Sequence, residues 1–505
     1  RDRQEIINNT QKYIEGFPKE ERKEIGQFFT SIQTAQYMAS KVETDTRLKI
    51  LDVGAGTGIL SAAVLEKLLR SKKIKNIELT LYENDKRVIA VLDENLQIMQ
   101  QQCATKNINL IFRVIKKNFI LENRELWKQK AYVGNFDIVI SNPPYKKIGK
   151  EDAEAKAMED IVYGQPNIYY LCMAMSSHLL KKNGQFIFIV PRSWTSGLYF
   201  KYFREYFLGN ICLKSLHLFV SRDKVFDAES VLQETMIIFG MKSSNQTPRI
   251  SITTSNGTND FHKITKLFVK SKMCITGGEN HYVLLPVCDE DIDILTIMAN
   301  FKSTLQTEGY VFKTGQVVEF RNKEDIKLHK ENNCVPLIRP FHLYKGFVKF
   351  PVNVSKGQYM KMSNKKSLFM EYKDMLLIKR FTTKEETRRL QPALLLVDNI
   401  STKIIAVENH VNYLDKTSGQ ITKDELFGIW ALFSSQIWDK YYRILNGSTQ
   451  VNATEINTMP IPDIVKIREI GQKIQQQDET INFDNIIKGI IYGKDRRNER
   501  DIATN

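Results

Sequence analysis

The chain has 505 residues, 42% hydrophobic and 26% charged, enough to bury the cores of two or three domains. Lys and Arg number 73 against 58 acids, a net charge of +15, which suits a polyanionic partner such as nucleic acid but is also how a surface keeps itself soluble. The six cysteines form no CxxC pair and the seven histidines no HxxxH spacing, which argues against a disulfide framework or structural zinc and fits a reducing cytoplasm; without an 18-residue apolar run or signal-peptide pattern, no membrane span is expected.

The sequence opens on Arg1 rather than Met, which leaves room for residues ahead of it. From about residue 45 to 240, strand and helix signals alternate, the pattern of a largely parallel sheet. "LKILDV" reads as a buried strand and "ILSAAVLEKLLR" as the helix behind it. "IELTLYE" is a second strand, followed by the helix "KRVIAVLDENLQIMQQQ"; "INLIFRVI" and "FDIVIS" are a third and a fourth. "NIYYLCMAMSSHLL" is helical, with "KKNG" as its C-terminal stop, and "QFIFIV" is a fifth strand ended by Pro191. "SLHLFV" and "SVLQETMIIFGM" supply two more. The polar stretch "SSNQTPRISITTSNGTND" marks a domain boundary. The expected organisation is an α/β domain over residues 1–245 built on a mostly parallel seven-stranded sheet, a mixed α+β domain over 246–460, and a helical tail over 461–505.

Two stretches between these elements carry chemistry. "LDVGAGTG" sets Asp52, Gly54, Gly56 and Gly58 between a strand and a helix, where glycines let the backbone turn tightly and approach a ligand. Glu83 ends the next strand, where an acid can bind ribose hydroxyls. Together they fit a nucleotide-like cofactor at the carboxyl edge of the sheet. They do not separate a dinucleotide from S-adenosylmethionine, although G-x-G-x-G spacing tilts against the dinucleotide. The bland alternatives are a Gly-rich turn with no ligand and a solvated acid.

"FDIVISNPPYKKIGK" runs an apolar strand into Asn142, Pro143, Pro144 and Tyr145. Two prolines lack N–H donors and fix φ, so pairing stops at Asn142 and a stiff loop follows. A planar exocyclic amine such as adenine N6 is a poor nucleophile, because its lone pair is delocalised into the ring. Two acceptors aimed at its hydrogens favour tetrahedral nitrogen as a bond forms, and the Asn142 side-chain oxygen and Pro143 carbonyl are the candidates, held by the prolines. Tyr145 offers a flat face for stacking the base. The competing reading is an exposed turn.

On these motifs the chain resembles the gamma-class adenine-N6 DNA methyltransferases typified by the TaqI enzyme, and among them the larger restriction–modification methylases of the PstI/BsuBI kind. The resemblance implies a Rossmann-like methyltransferase domain, S-adenosylmethionine as cofactor, no metal, and direct methyl transfer to adenine N6 in duplex DNA after base flipping. It implies that "GQFFT", with Thr30, contacts the cofactor; that Asp52, Gly54 and Gly56 form the cofactor loop; that Glu83 holds the ribose; and that "KKNFI" holds the cofactor adenine through Asn118 and Phe119. Asn118 departs from the family, which has Asp there. Asn142 to Tyr145 match the catalytic motif unchanged, with Asn142 beside the cofactor as well as the target. "RDKVF" resembles the later motif whose aromatic stacks on the extruded base, pointing to Phe226. In that family the C-terminal region reads DNA, and "YVFKTGQVVEFRNKED", "VPLIRPFHLYKG", "IKRFTTKEETRRLQ" and "NGSTQVNATEINTMPIP" resemble its recurring segments. Arg321, Arg339, Lys379, Arg380, Arg388 and Arg389 are the candidate DNA contacts, against the alternative that each is a surface charge.

The resemblance places the protein in a restriction–modification system, with a possible separate endonuclease as partner. Pro462-Asp463 has no acid-x-Lys behind it, so no fused nuclease is expected. Two rivals stand beside this reading. One is an NPPY methyltransferase acting on RNA or a protein glutamine, the latter group being usually much shorter; the other is a non-catalytic DNA-binding specificity subunit. The recognition sequence and oligomeric state are not legible here.

Overall fold

The computed structural model describes residues 2–24, 29–43, 47–220, 235–383, 385–478 and 480–492. The chain divides into two compact units, Arg1–Asp289 and Glu290–Asn505.

Unit 1 is built on nine strands: β1 (Arg47–Val53), β2 (Asn76–Tyr82), β3 (Asn109–Ile115), β4 (Phe136–Ser141), β5 (Leu180–Pro191), β6 (Ile211–Phe219), β7 (Thr235–Lys242), β8 (Arg249–Ser255) and β9 (Thr265–Lys270). They form one sheet in the order β3-β2-β1-β4-β5-β7-β6-β8-β9. From β3 to β5 every neighbouring pair is parallel; β7 is antiparallel to both β5 and β6, β8 is parallel to β6, and β9 antiparallel to β8. Central strands read as continuous apolar runs because both faces are covered: Ile50, Leu51, Ile138, Val139 and Ile140 have no exposed surface. The helix Lys86–Thr105 starts at an Asp85 cap and buries Val88, Leu92, Leu96, Met99 and Cys103, a 3–4 spacing that lays one face on the sheet. Each such burial contributes about 1.5–3 kcal/mol.

The sheet therefore exceeds the seven strands expected. β8 lies inside the polar stretch read as a boundary, and the division between units falls at residue 289 rather than near 245. A buried histidine accounts for the misreading of β8. His217 on β6 is fully buried, its two ring nitrogens 2.8 Å from the Thr253 and Ser255 hydroxyls of β8. Those hydroxyls make β8 look like a loop in sequence, yet they are interior hydrogen-bond partners. A second difference concerns "KKNG". The helix Ile168–Leu179 runs directly into β5, and the stretch is the irregular start of that strand: Phe136 pairs with Leu180 but Ile138 with Gln185, and Asn183 takes φ 64°.

Unit 2 is mixed α+β. One sheet of six strands runs in the order Tyr310–Thr314, Val411–Lys416, Met375–Lys379, Pro392–Leu395, Phe347–Val348, Leu343–Tyr344. A second, of five strands, centres on Cys334–Ile338, which is paired with Tyr359–Lys361 and Ile404–Val407. No helix among the described residues is long and apolar enough to cross a membrane.

The described residues beyond 461 pack as part of this unit rather than as a separate tail. Its helix Ile464–Gln475 lies against Lys423–Ser434 so closely that two glycines mark the contact. A Cβ on Gly471 would sit 1.8 Å from the Asp424 carbonyl oxygen, and one on Gly428 2.1 Å from that of Ile467. Gly471→Ala is expected to destabilise unit 2 by about 1–3 kcal/mol, the usual scale of overpacking. Denaturant unfolding followed by tryptophan fluorescence reads this; an unchanged midpoint would mean that the helix does not hold the unit together.

Candidate active site

The connection out of β1 goes to β2 and β3, and the chain then returns to place β4 on the other side of β1. That reversal opens a crevice past the carboxyl ends of β1 and β4, where open α/β sheets receive ligands. A cavity of about 400 Å³ occupies it. Val53, Gly54 and Gly56 line it from β1, Tyr82 and Glu83 from β2, Asn118, Phe119 and Ile120 from beyond β3, and Asn142 and Pro144 from β4.

The glycine loop is tied down on both sides. The Gly54 and Ala55 amides donate to the Tyr82 carbonyl, each at 3.0 Å. The Gly56 amide donates to Glu83 Oε1 at 2.8 Å, while Glu83 Oε2 accepts from the Asp85 amide at 3.0 Å. Gly54 and Gly56 take φ of 69° and 55°, and a Cβ on Gly54 would meet the Asn142 carbonyl oxygen and Pro144 at 3.6 Å. The two loops are thus in contact. From the other side the N-terminal helix Asp2–Glu15 holds the loop: Thr10 Oγ1 donates to Thr57 Oγ1 at 2.8 Å, and Asn9 reaches Asn95, which itself donates to the Thr57 carbonyl. Glu83 is 5% exposed, and burial raises its pKa. Its carboxylate accepts from the backbone of Gly56, Asp85 and Asn84.

Asn142 is held at both ends of its amide. Its Nδ2 donates to Thr30 Oγ1 at 2.9 Å, and its Oδ1 accepts from the Tyr145 hydroxyl at 2.8 Å. The same hydroxyl lies 3.1 Å from the Ile189 carbonyl on β5. Burial raises the Tyr145 pKa, so the phenol stays a donor. Its ring meets Tyr169 edge-on at 6.1 Å. Pro143 is buried and Pro144 half-buried. Thr30 therefore touches Asn142 and stands outside the residues lining the main cavity.

Two other expected cofactor residues sit differently from the sequence reading. Asp52 does not line the cavity: it is fully buried beneath the loop, accepting from Ser61 Oγ at 2.6 Å, and ties β1 to the helix Ile59–Leu68. Asn118 lines the cavity, but its oxygen caps the short helix Phe119–Glu122, accepting from the Ile120 and Leu121 amides at 3.1 and 3.0 Å. Both lone pairs are engaged, so an adenine amine would have to displace a capping bond. The Asn118 amide nitrogen donates to Glu154 at 2.9 Å. Phe119 packs edge-on against Tyr82 at 4.9 Å. Phe226 lies outside the described residues.

The six basic candidates of unit 2 divide. Arg339 is 3% exposed and bonds to Glu408, Glu319 and the Gly357 carbonyl. Arg389 is fully buried, donating to Thr382 and the Asn446 carbonyl, and Arg388 donates to the Leu390, Phe433 and Ser435 carbonyls. These three hold the unit's interior, since a buried guanidinium must be paired with acceptors. Arg321 is exposed, and Lys379 and Arg380 are half-buried.

The sequence reading missed Asn84, Asp85, Arg87, Ile168 and Cys172, and named only the segments that hold Phe29 and Lys117; these seven complete the cavity lining. Asp85 was signalled by its place two residues after Glu83, at the start of a helix. Ile168 and Cys172 follow the Asn167 cap one turn apart, a signal that depends on the antiparallel Lys147–Asn167 bridge bringing that helix to the loop.

Asp52 yields a pH prediction. Burial, with Glu83 adding negative charge, raises its pKa from 3.8 to about 7. The folded chain keeps this proton to higher pH than the unfolded chain, so the stability it contributes is complete below about pH 4 and is lost as pH rises to about pH 7. Asp52→Asn removes that dependence. The stability of the variant relative to the parent, from denaturant midpoints, is expected to rise between about pH 5 and about pH 7.5. A pH-independent difference would show that Asp52 is ionised in the folded state.

Comparison with known proteins gives the lineage. Residues 57–226 match the family described as Eco57I restriction-modification methylase. The chain is 30% identical over 467 residues to Type II methyltransferase M.BsuBI of Bacillus subtilis, covering 91% of this chain and 92% of that one. It is 27% identical over 470 residues to Type II methyltransferase M.PstI of Providencia stuartii, covering 92% of each. Among solved structures, the type IIG restriction endonuclease BpuSI is similar at a TM-score of 0.45 and 13% identity over 92% of this chain and 63% of that one, so the chain spans under two thirds of that enzyme. With identity of this level sustained along nine tenths of both chains, the protein belongs to the restriction–modification methyltransferases, in the family of M.BsuBI.

Proposed function

We propose that the protein transfers the methyl group of S-adenosylmethionine to N6 of an adenine extruded from duplex DNA, as the modification enzyme of a restriction–modification system. The observation that carries this reading is the Asn142–Tyr145 loop in contact with the glycine loop, both bordering one cavity with Glu83. The cavity residues suit the cofactor: a carboxylate for ribose hydroxyls, apolar Phe119 and Ile120 for a purine, and a glycine turn in which a Cβ on Gly56 would meet nothing within 4 Å. Bound S-adenosylmethionine would supply an electrophilic methyl group on a sulfonium.

The chain's own part is to prepare the nucleophile. Asn142 Oδ1, which accepts from the Tyr145 hydroxyl, is the proposed first acceptor for a hydrogen of the target amine. The Thr30 and Tyr145 bonds prevent the amide from rotating, so the acceptor is preorganised. The Pro143 carbonyl is the proposed second acceptor. Neither oxygen is basic enough to keep a proton, so the proton lost on methylation leaves to water. The Tyr145 ring stacks on the extruded base, and its hydroxyl positions Asn142. Unit 2 reads the DNA, and a cognate endonuclease acts as a separate protein. The proposed setting is the cytoplasm, where the DNA to be protected lies.

Incubating the full chain with methyl-labelled cofactor and duplex DNA, then hydrolysing to nucleosides, tests the reaction. Label in N6-methyladenine is expected; label confined to cytosine, RNA or protein would overturn it. Asn142→Ala is expected to slow single-turnover transfer about 10²–10³-fold with cofactor affinity retained, by analogy with loss of an oxyanion-hole donor. Tyr145→Phe keeps the ring and loses the bond to Asn142; a rate fall of about two- to tenfold is expected, the worth of one hydrogen bond. Glu83→Ala should weaken cofactor binding by calorimetry while DNA binding persists, and unchanged cofactor affinity would remove Glu83 from the site.

A further inference from the structure

Among the exposed aromatic side chains of unit 2 are Phe320 and Phe381, each beside an arginine. Phe320, 78% exposed, stands in the turn Glu319–Arg321, and Phe381, 46% exposed, follows the strand Met375–Lys379. Large apolar side chains left in water on adjoining segments mark a candidate contact surface. Each ring has its own guanidinium beside it: Arg321 and Arg380 both lie 5.4 Å from the centroid of the adjacent phenylalanine.

Backbone hydrogen bonds hold the two segments that carry these rings against one shared turn. The Val317 amide donates to the Val407 carbonyl at 3.0 Å, the Asn409 amide to the Val317 carbonyl at 2.9 Å, and the Arg380 amide to the His410 carbonyl at 3.0 Å. The turn at residues 408–410 thus lies between the segment carrying Phe320 and the segment carrying Phe381. Gly315 permits this closeness, since a Cβ there would be 2.2 Å from the Glu408 carbonyl oxygen. Beneath the surface the buried Arg339 pins both sides, with Nη2 2.7 Å from Glu319 and Nε 3.1 Å from Glu408. Arg380 Nη1 donates to the Asn409 carbonyl at 3.0 Å, which fixes its guanidinium over Phe381.

We infer that this edge is a DNA-contacting surface on which Phe320 and Phe381 stack against bases at a locally unstacked step, with Arg321 contacting the backbone. Aromatic faces paired with fixed cations are the combination that holds unstacked nucleic acid, with stacking sequence-tolerant and the cations meeting phosphate. The net charge of +15 supplies the matching long-range attraction. The buried Arg339 makes the surface rigid, which lowers the ordering cost of binding. The inference rests on the DNA-modifying role proposed above and goes beyond it by naming side chains that reach bases.

The test uses the full chain and two dye-labelled random-sequence duplexes, one with a central mismatch. Phe320→Ala and Phe381→Ala are each expected to weaken binding to the mismatched duplex roughly ten- to hundredfold, with the salt dependence unchanged. Phe320→Trp should retain affinity. Arg321→Gln should lower the slope of log affinity against log salt by about 0.9, one phosphate contact. Wild-type affinity in both alanine variants, beside salt-dependent binding by the parent, would overturn this inference and leave the DNA-modifying role standing. Failure of the parent to bind any duplex would sink both. A concentration-dependent dimer in sedimentation that Phe320→Ala abolishes would reassign the edge to contact between copies of the chain and likewise overturn it.

Discussion

Everything at the candidate site depends on β1 being paired in parallel on both sides, with β2 at one edge and β4 at the other. Parallel pairing brings the three carboxyl ends to one rim. The glycine loop after β1, Glu83 after β2 and Asn142 after β4 come from positions tens of residues apart and meet there without any side chain having to search for its partner. The apolar runs of β1 and β4, buried on both faces, anchor this rim at the centre of the sheet.

The loops on that rim lock each other. Glu83 bonds the Gly56 amide, Gly54 packs against Pro144, and Asn142 is held between Thr30 and Tyr145. Such mutual restraint matters because hydrogen bonding at a reacting amine is useful only if the acceptor is already in place. In the proposed reaction Tyr145 has two tasks, the ring toward a base and the hydroxyl, which bonds Asn142, toward the acceptor. Tyr145→Phe separates them, where Tyr145→Ala would remove both at once.

Unit 2 illustrates how a basic composition divides into charges that build a fold and charges that face outward. Arg339, Arg388 and Arg389 are enclosed by carbonyls and carboxylates, an arrangement that a neutral replacement would leave with unsatisfied acceptors. Arg321 is exposed beside an exposed phenylalanine. Sequence segments rich in arginine look alike in both cases, and only burial tells them apart.

The first seven strands were legible in the sequence, because strands buried on both faces must be apolar and must stop where Gly, Pro or an acid ends pairing. The Asn142–Tyr145 loop was legible for a related reason: two prolines after a strand end its pairing and leave a stiff loop past the strand. Strand β8 was not legible, since its threonine and serine are interior only through the His217 ring on another strand. Nor were the burial of Asp52, the capping role of the Asn118 oxygen, or the structural use of Arg389. Each of these is decided by which polar group a side chain meets across the fold, and local sequence carries hydrophobic period and turn chemistry but not the identity of a distant hydrogen-bond partner.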